Sequence, residues 1–518
     1  MKFPTFAKAL FPIILCSCST GINSHESGME TLEPICISSI EMTGSGKPFL
    51  QVDSEPFAIY GAQIRIDIFR SVDKLSWNEI ENYFATAANF GVNTVQVPIP
   101  WAFIEPKKDQ WSFSEIDQIL SLANKYDLKV ELLWFSTNMI GDAYSWLVPT
   151  YILATPPSRL NRKDDAAWHG LYGYTYSLLL NDPWILERET KAVSVLFNHI
   201  RKWDDENGNR HPVITCQVHN EPDALVRWRL NEKEIAYRDG TRISAPQAWQ
   251  MTLDALNTVG LAIKNSSYRV ATRTNIISGD GVNSFPQTPG ISPKDVFALD
   301  GIDFVSFDPY METVNQIAYE VSQYASLPGN YPLVAENRGD YSNTASLMLA
   351  ASALGGGYDI YDLATSKYIT ANSKPPFNTE GIFESDLSPK NHTALVSTLL
   401  SGLTQLSKEI ATVSTENFAV FNILTDSPRT VLTQNIRTTS ADLTFKTDKG
   451  ALAFVLDLGN EIVAYSTESA TLEVRNGSLT ENESGRISLE KGKIYRFGFK
   501  SDGPLTSTVK KNIGTLFN

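Results

Sequence analysis

Pro212-Val-Ile-Thr-Cys-Gln-Val-His-Asn-Glu-Pro222 and Tyr331-Pro-Leu-Val-Ala-Glu-Asn337 are the two stretches on which the fold turns. Each is a short apolar run of strand character that delivers a glutamate, Glu221 in the first and Glu336 in the second. A parallel α/β barrel gathers the C-terminal ends of its strands on one face, and catalytic side chains collect there. Working outward, further strand candidates occupy residues 57–62, 92–99, 128–135, 268–273, 302–307 and 356–363, which makes 212–218 the fourth strand and 331–335 the seventh.

Helical patterns alternate with these strands. Residues 76–90 place Trp77, Ile80, Tyr83, Phe84, Ala87 and Ala88 at helical spacing, and Gly91 closes the run as a helix C-terminus favours. Residues 114–126 carry a stripe of Ile116, Ile119, Leu120 and Ala123, with Ser114 expected as its N-cap. Further helices are expected over 187–203, 248–265 and 388–410. Eight strands in such alternation predict an α/β fold, a (β/α)8 TIM barrel over residues 48–410. A doubly wound open sheet would carry a GxGxxG turn after an early strand, and the sequence has none there. Two long insertions, 136–184 and 223–246, interrupt the barrel, and the first is rich in Trp and Tyr. Beyond residue 411 short alternating runs separated by Asn, Gly, Asp and Ser predict a C-terminal all-β sandwich domain over 411–518.

The bulk properties narrow the partners. The 518 residues hold 42% hydrophobic and 20% charged residues, which fits a folded body. A formal net charge of −14 argues against nucleic acid, whose phosphates it would repel. Residues 1–18 read as an export signal, with Lys2 and Lys8 ahead of an apolar run too short to span a bilayer. Leu15-Cys-Ser-Cys18 resembles a bacterial lipobox, which implies lipidation of Cys18 and a membrane anchor in the cell envelope, at the outer membrane or cell surface; residues 19–47 would be the tether. Of the cysteines left after processing, Cys216 lies inside a strand and is expected as a buried free thiol. No HExxH or CxxC spacing occurs, so no metal and no cofactor is expected.

Two carboxyls about 5–5.5 Å apart, one protonated and one ionised, are what retaining hydrolysis of a glycosidic bond requires. Glu221 and Glu336 are the pair that the strand pattern delivers to one face. Asn220 precedes Glu221 and suits a sugar hydroxyl; Arg338, two residues after Glu336, is expected to help keep it ionised. His219 is expected as a site-lining or structural residue. Trp101, Trp134, Trp146 and Tyr361 are candidates for a sugar-stacking wall.

The chain resembles clan-A glycoside hydrolases, with an Asn-Glu pair after strand 4 and a glutamate at the end of strand 7. Asn93-Thr-Val-Gln-Val-Pro-Ile-Pro-Trp101, Ile104-Glu-Pro106, Trp111-Ser-Phe-Ser-Glu-Ile-Asp117 and Leu132-Leu-Trp-Phe135 resemble the barrels of β-galactosidases in glycoside hydrolase families 35 and 42. The resemblance spans residues 48–365. It implies Glu221 as acid/base, Glu336 as nucleophile, Asn220 as a ligand of a sugar hydroxyl, and Tyr310 as the tyrosine held against the nucleophile. Family 35 usually reads Val-Glu-Asn-Glu where this chain reads Val218-His-Asn-Glu221, and the region around Glu336 lacks that family's aromatic pattern, so a divergent branch is expected. The expectation is an exported retaining exo-β-glycosidase acting on an oligo- or polysaccharide. An endo-acting glycanase and a non-catalytic glycan-binding lipoprotein are the alternatives.

Overall fold

A computed structural model describes residues 33–136, 146–154, 159–161, 176–178, 182–222, 235–236, 242–277, 292–373, 378–424, 431–475, 477–479 and 485–501. Its centre is a closed barrel of eight parallel strands: β1 (Tyr60–Gln63), β2 (Thr94–Pro100), β3 (Lys129–Phe135), β4 (Val213–Val218), β5 (Ala271–Ile277), β6 (Phe304–Asp308), β7 (Leu333–Arg338) and β8 (Gly357–Tyr361). Each strand pairs with its chain neighbours, and β8 closes on β1 through Tyr358 opposite Tyr60. This is the (β/α)8 barrel expected from the alternation.

Every residue of β2, β4, β5, β6 and β7 is buried, because helices cover the outside and side chains fill the inside. The inside is polar rather than aliphatic. Gln96 donates to Asp359 across the barrel at 2.8 Å. Arg273, with no exposed surface, reaches Glu131 at 3.3 Å, Ser306 at 3.1 Å and the side-chain oxygen of Gln217. Buried charges are tolerable only when paired and hydrogen-bonded; Arg273 pairs with Glu131, while Arg273 Nη2, Glu131 Oε1 and Asp359 Oδ1 have no hydrogen-bond partner among the described residues.

That polar interior explains the one strand misplaced by the sequence pattern. Strand 5 was expected over 268–273, where the apolar residues lie. In the structure Tyr268–Arg269 is a short outer strand paired with Ile35–Cys36, and β5 proper is the polar run Ala-Thr-Arg-Thr-Asn-Ile-Ile that follows. The tether expectation over 19–47 is corrected at its end: Ile35–Cys36 pairs with Tyr268–Arg269, and Ser38–Met42 pairs with Pro48–Val52, which turns through Asp53 and Ser54 into Glu55–Phe57.

The surrounding helices follow the apolar stripes. Trp77–Phe90 starts on a capping box between Ser76 and Glu79 and ends on Gly91 at φ 99°. Ser114 is the first residue of the helix Ser114–Tyr126 and not its cap; Phe113 precedes it and no side chain caps the end. The helix Pro183–Glu206 begins under the Asp182 cap and carries Glu189 on its buried side. The single closing helix expected over 388–410 is two, Thr393–Gln405 and Ser407–Thr412. The expected insertions lie largely outside the described residues; their described parts include short strand pairs at Arg159–Asn161 with Tyr176–Leu178 and Ile235–Ala236 with Arg242–Ile243.

The C-terminal strands form two antiparallel sheets. One orders Phe418–Ile423, Ala451–Asp457, Glu461–Ser466, Ile494–Ser501 and Gly477–Leu479; the other orders Leu432–Arg437, Asp442–Thr447, Ala470–Arg475 and Arg486–Leu489. Phe421, Phe445, Val455, Ile462 and Leu472 fill the space between them. The opposite face of the first sheet, with Phe418, Val420, Phe454 and Tyr465, merges into the barrel core. Tyr465 packs flat against the helix Thr393–Gln405 at Gly402, where a Cβ would fall 2.6 Å from its ring. Among the described residues no helix is long and apolar enough to cross a membrane. Cys36 and Cys216 are both free thiols, and burial pushes the Cys216 thiol up to about 12.

Candidate active site

The C-terminal mouth of the barrel brings Glu221 and Glu336 together. One oxygen of each, and one of Asp308, lie within 4.8 Å of one another. Glu336 sits inside β7 rather than after it, and is 4% exposed. Tyr310 donates its hydroxyl to one Glu336 oxygen at 2.6 Å, and Gln63 of β1 donates to the other at 3.1 Å. Burial pushes the Glu336 carboxyl up; Tyr310 and Gln63 oppose this most, followed by the charges of Arg65 and Arg273.

Glu221 leaves β4 through a turn. His219 has φ 62° and Glu221 φ 43°, left-handed values that non-glycine residues seldom adopt. Surrounding contacts fix this backbone. The Glu221 N–H donates to Asn275 Oδ1 at 2.9 Å. Asn275 Nδ2 donates to Asn220 Oδ1, also at 2.9 Å, and Gln217 donates to the same oxygen at 2.9 Å. Asn220 is buried with Glu221 only partly so, which leaves the acid facing the mouth. Tyr310 has φ 47°, and its ring meets that of Tyr361 edge-on at 5.9 Å.

Three other expected residues are placed differently. His219 has no exposed surface; its Nε2 lies 2.8 Å from Glu189, so it props the turn and does not line the site. Burial would raise Glu189, but the His219 partner, with Ser136 and the Trp134 N–H, outweighs it and holds the carboxyl below its usual range. Trp134 is fully buried, its indole N–H on Glu189 at 2.9 Å, and Trp101 is fully buried with its N–H on Glu105 at 3.1 Å. Neither indole can offer a face to a sugar, so both are corrected from wall to core. Trp146 is half-buried with its ring edge-on to Tyr368.

Arg338 also differs from expectation. Its guanidinium makes two bonds to Asp340, at 2.9 and 2.6 Å. The cations that lower Glu336 most are Arg65 and Arg273. Arg65 is clamped on Asp67 at 2.9 and 2.8 Å and donates to the Tyr361 hydroxyl at 3.3 Å. Tyr361 thus stands at the mouth, half-buried, at the end of β8. Beyond it lies Glu380, 5% exposed; its carbonyl oxygen accepts from Gly339 and Asp340 N–H groups at 2.8 and 3.1 Å. Burial, then the neighbouring Asp362 charge, pushes the Glu380 carboxyl up to about 9, and burial pushes Asp362 to about 6.

Sequence reasoning missed Gln63, Arg65, Arg273, Asn275, Asp308 and Glu380. Of these only Asn275 and Asp308 carried a usable signal, being polar residues at the ends of strands 5 and 6 once those strands are placed correctly. The spacing of Glu221, Asp308 and Glu336 would also let them share a cation. Both Glu336 oxygens and one Asp308 oxygen accept hydrogen bonds, from Tyr310, Gln63 and Asn275.

The model of glycoside hydrolase family 42, described as β-galactosidase, matches residues 71–223, the part of the barrel that ends on Glu221. The chain is similar to clan-A glycoside hydrolases. A second model, a domain of unknown function (DUF4978), matches residues 251–428 and so covers Glu336. Beta-galactosidase 8 of Oryza sativa subsp. japonica is 26% identical over 172 residues, 33% of this chain; the match spans 22% of the rice protein. Among solved structures, an exo-β-1,4-mannosidase from Opitutaceae bacterium strain TAV5 aligns with a TM-score of 0.49 and 14% identity, over 71% of this chain and 63% of that one. A β-galactosidase from Bacillus circulans sp. alkalophilus aligns with a TM-score of 0.49 and 14% identity, over 70% of this chain and 58% of that one.

Proposed function

We propose that the protein is a retaining β-glycosidase, exo-acting and β-galactosidase-like, that hydrolyses glycans through a glycosyl-enzyme. The observation that carries this reading is the approach of the Glu221 and Glu336 oxygens to within 4.8 Å. That spacing leaves no room for the water that an inverting enzyme activates, and it matches two carboxyls acting in turn on one anomeric carbon.

Glu336, held by Tyr310 and Gln63, attacks the anomeric carbon while Glu221 protonates the departing oxygen. Glu221 then removes a proton from the incoming water, which releases the sugar with its configuration kept. Asn220 stands beside Glu221 and is the residue proposed to bind the neighbouring hydroxyl; Tyr361 offers the aromatic edge of the pocket. The preference for galactose is supported by the description of the family model that covers β2 to β4. The expected anchor supports export to a bacterial cell envelope; Cys18 itself lies outside the described residues.

Purified protein is assayed against aryl β-galactoside, β-glucoside, β-xyloside, β-mannoside and α-arabinoside, alongside Glu221→Ala and Glu336→Ala. The wild type should turn over at least one, and each variant should lose roughly 1,000-fold or more while melting like the wild type. Near-normal turnover by either variant removes that residue from its role, and no turnover of any glycoside by the wild type removes the enzymatic reading. Labelling with radioactive palmitate in a bacterial host, lost in Cys18→Ala, tests the anchor.

A further inference from the structure

Asp308 ends β6 with no exposed surface. Its Oδ2 accepts from Asn275 Nδ2 at 2.6 Å. The same Asn275 holds Asn220 through Nδ2 and the Glu221 backbone N–H through Oδ1. One side chain therefore connects Asp308 to both residues of the Asn-Glu pair. The other oxygen, Oδ1, is buried and has no hydrogen-bond partner among the described residues. Asp308 also belongs to the group of three carboxyls that lie within 4.8 Å of one another.

We propose that Asp308 is a positioning residue of the catalytic pair: through Asn275 it fixes Glu221 and Asn220, and it presents a neutral carboxyl, rather than a third negative charge, to the two glutamates. The inference rests on the glycosidase reading for its kinetic consequences, though not for the protonation it assigns.

The charges around Asp308 favour this. Glu336 approaches from β7 and Glu221 from the turn after β4, both acidic; Tyr310 follows on its own strand's loop. Among the described residues Arg273 of β5 is the cation that lowers Asp308 most, and its guanidinium is shared with Glu131, Gln217 and Ser306. Burial, with Glu336 and Glu221 behind it, outweighs Arg273 and pushes the Asp308 carboxyl well above the carboxylate range. A protonated carboxyl satisfies the geometry: Oδ2 accepts from Asn275 and the Oδ1 hydroxyl is free to donate toward a glutamate.

Two variants separate anchor from charge. Asp308→Asn keeps an oxygen for Asn275 and turns an N–H toward the glutamates, as the neutral acid would. It should lower kcat/KM only about fivefold and leave both limbs of the pH profile within about 0.3 unit of the wild type. An ionised Asp308 would give the opposite: its removal would lower both limbs by about a unit, because a like charge had been raising both glutamates. Asp308→Ala removes the anchor. It should lower kcat/KM about 100-fold for an alkyl glycoside, which needs a well-placed acid, and only about tenfold for an activated aryl glycoside, which does not. Equal losses on both would overturn the positioning role, since a general structural defect makes no such distinction. Infrared spectra at pH 7 give a readout without turnover. The wild type minus Asp308→Asn difference should contain the carbonyl stretch of a protonated carboxylic acid, and a carboxylate band in its place overturns the proposal even if no glycoside is cleaved.

Discussion

Replacing Tyr310 with Phe removes one hydroxyl and nothing else from the wall around Glu336. The bond it deletes is short, 2.6 Å, to a carboxylate with 4% exposure, so solvent cannot replace it. A hydrogen bond to a charged group contributes about 1.5–3 kcal/mol, and one pKa unit corresponds to about 1.4 kcal/mol. The Glu336 carboxyl, already raised by burial, should therefore rise by a further 1–2 units or so when this donor is lost, with the 3.1 Å bond from Gln63 still in place. In the proposed mechanism Glu336 must be ionised to attack. The acid limb of kcat/KM, which reports the free enzyme, should move to higher pH by about 1–2 units in Tyr310→Phe. At pH values well above that limb the variant should recover much of its rate. An acid limb at the wild-type position, with a uniform loss across pH, would refute the argument that Tyr310 holds Glu336 in its ionised form.

The buried acid Glu380 predicts a pH-dependent stability. Its folded value, about 9, lies above the unfolded one, so the folded chain holds a proton that the unfolded chain gives up. Stability from this group is full below about pH 4 and is lost as pH rises toward 9; thermal melts should show Glu380→Gln losing less Tm than the wild type between pH 5 and pH 9, and parallel slopes would contradict this. Gly402→Ala should destabilise by about 1–3 kcal/mol in urea unfolding, because the new Cβ falls 2.6 Å from the Tyr465 ring that joins the C-terminal sheet to the barrel. His219→Ala removes the imidazole that contacts Glu189 inside the protein and should cost about 1–3 kcal/mol by the same assay; a loss of activity with unchanged stability would instead return His219 to the substrate.

The barrel was legible because most of its strands are apolar and its helices carry clear stripes. β2, β3 and β4 fall within one or two residues of the pattern, and Glu221 and Glu336 fall on the expected face. The pattern failed where the interior turns polar: the strand bearing Arg273 and Asn275 does not look like a strand until its partners across the barrel are known. Trp101 and Trp134 were misread for a related reason. An indole's composition does not tell its direction, and here the directions are set by Glu105 and Glu189, one of which comes from a helix 55 residues further along the chain. Arg338 stood closest to Glu336 in sequence, yet Arg65 and Arg273, far away along the chain, are the cations that lower it most. Proximity within a strand end is a weak guide when Asp340, two residues on, competes for the same guanidinium.

The most direct test follows the anomeric proton by NMR during hydrolysis of a β-glycoside that the wild type cleaves. Carboxyl oxygens within 4.8 Å predict that the first sugar released is the β-anomer, with the α-anomer appearing only as the product mutarotates. An α-anomer formed first would mean that a water, and not Glu336, attacks the sugar, and the pairing of these two glutamates as acid and nucleophile would be wrong.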